Sequence, residues 1–169
     1  MKKRVQQNKN NNISIICGII GAALFLFVMN AFGNPYGTIH KIDVLDIIPP
    51  IWLWNISELL WGFLIGYAAG RVIFDISCIK SVPHAEMSAC KGGLFYIVAF
   101  FLSLSHYPLF FIEGKLLLSL ITAFLSLIFA SICGVIWIRV SKTPSLIMIA
   151  YSFWLFYVVF VNFSIFIKI

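Results

Sequence analysis

Two ionisable side chains, Glu58 and His106, stand inside long apolar runs of this sequence. A carboxylate at bilayer depth costs about 3 kcal/mol even on the gentler insertion scales, so it faces a helix bundle, a wet cavity or a partner. Tryptophans accompany it. Trp54, Glu58 and Trp61 fall at i, i+4 and i+7, which is one face of a helix, and Trp52 precedes them. An aromatic stripe with one carboxylate in it suits a flat, mostly apolar ligand held by stacking and a single polar contact. Tryptophan also gathers at membrane interfaces as an anchor, which is the plainer reading of any one of them. His106 is the candidate partner of Glu58, either lining a ligand cavity with it or making a structural polar contact. Trp154 and Asn162, eight residues apart on a later run, lie on nearby helix faces and offer a second wall.

Other chemistry is sparse. Of the four cysteines, Cys17 and Cys133 sit in apolar runs, where a thiol behaves as a small hydrophobe. Cys78 and Cys90 flank His84 at a spacing that fits no zinc pattern. Phosphate-binding, dinucleotide, metalloprotease and nucleophile-elbow motifs do not occur. One glutamate and one histidine inside the apolar runs fall short of the paired glutamates and several histidines of an intramembrane peptidase, so the residues do not point to an enzyme.

The elements that hold these residues follow from composition. The chain has 169 residues, 62% hydrophobic and 11% charged, with a mean hydropathy of +1.01. That is too little charge to cover a soluble domain. Five runs are long enough to cross a bilayer as helices, at about 13–32, 51–74, 93–111, 116–138 and 145–167. They show no period-two alternation, which excludes a barrel. The first is too long for a secretory signal and lacks a cleavage site. Residues 1–12 read as a disordered basic tail ahead of one transmembrane domain at 13–169. The connections at 33–50 and about 75–92 read as long, and those at 112–115 and 141–144 as tight. The fold class is therefore an all-α integral membrane protein, a five-transmembrane-helix bundle in contact with the lipid bilayer.

Nine of the twelve Lys and Arg fall on the N-terminal side of this topology, and Lys41, Lys115 and Lys168 on the other. That bias puts the N-terminus in the cytoplasm. The net charge of +6 is then a topology signal. Nucleic acid is not an expected partner, because the basic tail is short and has no interleaved aromatics. A bias toward Ile, Phe, Lys and Asn suggests a bacterial plasma membrane. Helix contacts are expected at Gly18, Gly21, Ala68, Ala69 and Gly70.

Three stretches resemble the TspO/translocator protein family, also called tryptophan-rich sensory proteins or peripheral benzodiazepine receptors. Pro49-Pro50-Ile51-Trp52-Leu53-Trp54, running on to Gly66, looks like the start of the family's second helix. Tyr107-Pro108-Leu109-Phe110-Phe111 is similar to its Trp-Ser-Pro-Leu-Phe-Phe. Tyr151-x-x-Trp154 followed by Asn162 resembles its last helix. The order, helix count and length agree over nearly the whole chain. Departures are clear too. Glu58 and His106 stand where the family has tryptophans, and Ser103 where it has asparagine. Trp61-Gly62 replaces a Leu-Tyr pair, Ala150 a proline, Val158 an alanine, and Phe163 the tyrosine of a cholesterol-recognition pattern.

The resemblance implies a ligand site among the five helices, covered by the first loop. It implies a hydrophobic small molecule as partner, with a tetrapyrrole (porphyrin or haem) as the ligand rather than a required cofactor, and a homodimer. Sterol and benzodiazepine-type ligands, porphyrin breakdown and transport have also been attributed to members. The expected function is a membrane receptor or sensor, with Trp52, Trp54, Glu58, Trp61, His106, Phe110, Tyr151, Trp154 and Asn162 around the ligand. If Glu58 and His106 share that cavity, they form a pair there that the tryptophans would not. The alternative is the substrate-binding membrane subunit of a vitamin transporter, which usually has six helices. A purely structural bundle is a further reading.

Overall fold

A backbone in hydrocarbon must satisfy its own hydrogen bonds, and the apolar runs do so as helices. The computed structural model of the chain describes residues 2–31, 50–78, 83–111 and 115–168. Those residues hold five helices and no strand: α1 (Lys2–Ala31), α2 (Ile51–Cys78), α3 (Pro83–Phe111), α4 (Leu116–Trp137) and α5 (Lys142–Lys168). Each contains a stretch long and apolar enough to span a membrane.

The helices run further than the apolar runs. Helix α1 starts at Lys2, so the tail expected to be disordered has a helical backbone. A helix nucleated by a long apolar span extends at little cost into Lys, Arg and Gln, which are good helix formers. Helix α3 starts at Pro83 rather than at residue 93. Proline suits the first helical position, where its missing N–H would have no partner, and Ala85 and Ala89 are buried in the added turns. Most of the expected second loop is therefore helix, and His84 and Cys90 stand exposed on α3. Residues 79–82 and 112–114 lie outside the described residues, as does the first connection up to Pro49, with His40, Lys41, Asp43 and Asp46. The turn from α4 to α5 is tight, with the Val140 and Ser141 N–H groups both bonded to the Trp137 carbonyl at 2.9 Å.

Neighbouring helices run antiparallel, and the main packing pairs are α1 with α2, α2 with α5, α5 with α4, and α4 with α3. Lighter contacts of α3 with α1 and α2 close the ring. The α1–α2 seam is made of backbone. A methyl group at Gly21 would strike the Gly62 carbonyl, and one at Gly66 the Cys17 carbonyl. One at Gly70 would stand 2.8 Å from the Ser14 Cα. Small residues permit this approach, and it matters because lipid supplies no hydrophobic force between helices. Gly18, Gly21 and Gly70 thus make the expected contacts within one protomer. Trp137 of α4 is 1% exposed and packs on Tyr96 and Gly92 of α3. Outward faces carry large apolar residues such as Ile19, Phe27, Leu60, Phe101 and Phe153, the surface that acyl chains require.

Candidate functional site

The stripe on α2 faces α5. Trp54 is 5% exposed and its ring lies 5.5 Å from Trp154 and 6.3 Å from Tyr157. Trp154 and Tyr157 are themselves 5.5 Å apart, so three rings form one cluster. Two turns along, Trp61 packs on Tyr151 at 5.5 Å. Between these contacts lies Glu58, buried, accepting a 3.4 Å hydrogen bond from Trp154 Nε1. The indole N–H of Trp54 is buried without a partner. Trp52 departs from the expected set, since it points outward and is 61% exposed. Two residues of helix are a turn of about 200°, which puts Trp52 on the face opposite Trp54.

The other wall comes from α3, α4 and α5. His106 is buried, with the Phe110 ring stacked beside it at 5.7 Å. Asn162 donates from Nδ2 to the Val158 carbonyl at 2.7 Å, which fixes its amide orientation and turns Oδ1 toward Ser119. The Ser119 hydroxyl donates to that oxygen at 3.0 Å. Its single proton is then committed, so at 2.9 Å it can only accept from His106 Nδ1. The Ser119 carbonyl, 3.3 Å from the same nitrogen and already bonded by the Thr122 hydroxyl, can likewise only accept. The proton of the neutral imidazole therefore sits on Nδ1. His106 Nε2 is left buried and unpartnered. A second relay runs from the Tyr151 hydroxyl to Ser103 Oγ at 2.7 Å, from Ser103 to Ser126 Oγ at 2.6 Å, and from Ser126 to the Ala99 carbonyl at 3.0 Å.

Glu58 and His106 do face common space. Two cavities of about 10 Å³ are each lined by both, together with Ser103. No direct bond joins the pair. The contacts of His106 run to Ser119 and those of Glu58 to Trp154. Ser119, Ser126 and Tyr157 were not foreseen. A signal for the serines exists, because Ser119, Ala123, Ser126, Ala130 and Cys133 form a small-residue stripe at helical spacing, all buried.

The family model of the TspO/MBR family matches residues 13–167. The chain belongs to that family. No curated protein and no solved structure matches it. Membership supports a membrane receptor- or sensor-type role in general, on the five-helix bundle described above. In this TspO/MBR protein Glu58 and His106 both line the inner cavities.

The Asn162 contact yields a sharp expectation. In Asn162→Leu the Ser119 hydroxyl loses its acceptor and turns to donate to His106 Nδ1, moving the imidazole proton to Nε2. Histidine-selective ¹⁵N spectra should show this tautomer change at one of three histidines. The accompanying stability loss should be about 1 kcal/mol, the usual scale of one hydrogen bond. An unchanged tautomer would show that Ser119 does not set it.

Proposed function

We propose that this protein is a receptor or sensor for a hydrophobic planar ligand of the tetrapyrrole type, bound among α2, α3 and α5 and linked to the ligand's transport or turnover. The observation that carries this reading is the contact of Trp54 with Trp154 and Tyr157 beside the buried carboxyl of Glu58. Stacking surfaces from two helices converge on one polar group, as a flat ligand needs. Each cavity beside Glu58 has only the room of a single water. A ring ligand therefore takes the place of aromatic side chains, which swing aside on binding. The lysine and arginine bias supports a cytoplasmic N-terminus, the bias toward Ile, Phe, Lys and Asn supports a bacterial cell membrane, and the family supports a homodimer. The vitamin-transporter alternative expects six helices and gains nothing from the five described.

The test is a tryptophan-quenching titration of detergent-purified protein with protoporphyrin IX, repeated with Trp154→Phe and Glu58→Gln. The expected result is saturable quenching in the micromolar range that weakens about tenfold in Trp154→Phe. A tenfold loss corresponds to about 1.4 kcal/mol, within the range of one base-sized stacking contact. No saturable binding to the unaltered chain would sink the reading.

A further inference from the structure

The cavity between Glu58 and His106 has a polarity that the aromatic cluster does not explain. Its polar lining is Glu58, Ser103, His106 and Tyr151, and the remainder is aliphatic. Each hydroxyl proton there is already committed. Tyr151 gives its proton to Ser103, and Ser103 gives its own to Ser126, because Ser126 spends its proton on the Ala99 carbonyl. The imidazole proton goes to Ser119. His106 is 6% exposed, and its Nε2 has no partner. The groups that line this cavity are therefore a carboxyl group and an imidazole whose Nε2 has no partner, with the Ser103 and Tyr151 protons both spent.

We propose that this cavity recognises a hydrogen-bond donor, the ammonium end of an amphipathic ligand held between the Glu58 carboxylate and His106 Nε2. The proposal rests on the reading that an aromatic body sits among Trp54, Trp61 and Trp154. The volume, about 10 Å³, suits one small polar group such as an ammonium nitrogen. An ammonium supplies several donors and a charge opposite to the carboxylate. A ligand carboxylate would instead meet an anion and a lone pair in a site away from water, where mismatched polar groups are costly. The propionates of a porphyrin accordingly stay outside this cavity.

The test uses three probes that share one ring body: 2-naphthylmethylamine, 2-methylnaphthalene and 2-naphthoate. Each is titrated calorimetrically into the detergent-purified full chain, with protein-free micelles as blank. The amine is expected to bind at least tenfold more tightly than either other probe. In Glu58→Gln that preference should fall below threefold, read as a ratio within the variant so that any general loss of affinity for the ring body cancels. Asn162→Leu keeps both Glu58 and His106 but turns Nε2 into a donor, and it should also lower the preference. Equal affinity for amine and hydrocarbon, a preference for naphthoate, or a preference that survives both variants would overturn the donor site while leaving the ring site standing. Failure of all three probes to bind would overturn both.

Discussion

Replacing Gly66 with leucine is expected to be among the most damaging single changes in this protein. A side chain at Gly66 points into the Cys17 carbonyl of α1, which is backbone and cannot rotate away. The whole of α1 must move. It then loses the approaches of Gly21 to Gly62 and of Gly70 to Ser14 as well. Overpacking in soluble cores costs about 1–3 kcal/mol, and a rigid neighbour puts this case at the upper end. For a chain of this size about 3 kcal/mol lowers the melting temperature by roughly 10 °C. Gly66→Ala should show a smaller loss. Gly93 supplies the opposite control. Nothing lies within 4 Å of a methyl group built there, so Gly93→Ala should stabilise α3 by about 1 kcal/mol through helix propensity alone. Thermal unfolding in one detergent would decide. Equal melting temperatures for the Gly66 variants and the unaltered chain would mean that the seam does not hold α1. Because Phe25 and Met29 of α1 line one cavity beside Glu58, ligand affinity should fall along with stability in the leucine variant.

Trp137→Ala, on α4, is expected to cost about as much. The ring is 1% exposed, stacks on Tyr96 at 5.6 Å and fills the space over Gly92. In lipid the transfer of apolar surface from water contributes little, and the loss comes from dispersion contacts around the void. A void of roughly 140 Å³ at about 24 cal/mol per Å³ costs about 3 kcal/mol. The indole N–H has no partner, and its removal offsets a small part. A double-mutant cycle makes the point specific. Gly92→Leu alone should destabilise, since a side chain there meets the Trp137 ring. Combined with Trp137→Ala it should refill part of the void, leaving the pair more stable than the sum of the single losses. Additive losses would place the Trp137 contribution elsewhere.

Both sites show what one-dimensional patterns carry. Run length and hydropathy are properties of a single helix, so all five spans were legible, and α4 matches its expected bounds within one residue. The i, i+4, i+7 stripe was legible for the same reason, and it does bring Trp54, Glu58 and Trp61 against α5. Applied strictly, the same periodicity would have removed Trp52. Partners across helices were not legible. Nothing along the chain says that Ser119 meets both His106 and Asn162, which lies 43 residues away. That contact decides which imidazole nitrogen carries the proton. The pairing of Glu58 with His106 was half legible. Their common cavity followed from helix positions, while the absence of a direct bond follows from Ser119 holding the Nδ1 proton. The helical start of α1 was not legible, because an Asn-rich tail carries no local signal of the span that extends into it.

The bundle has two kinds of cement. Backbone contact welds α1 to α2, and serine, tyrosine and asparagine hydrogen bonds lace α3, α4 and α5. The two groups meet largely through rings, Phe25 on Phe100, Trp61 on Tyr151 and Trp54 on Trp154. Rings can slide and re-stack where welded backbones cannot. The molecule therefore divides into two cooperative units with a slippery joint between them, and sub-global opening begins along that joint. Amide exchange should register this as two protection classes, with the helix faces at the joint exchanging ahead of the seam.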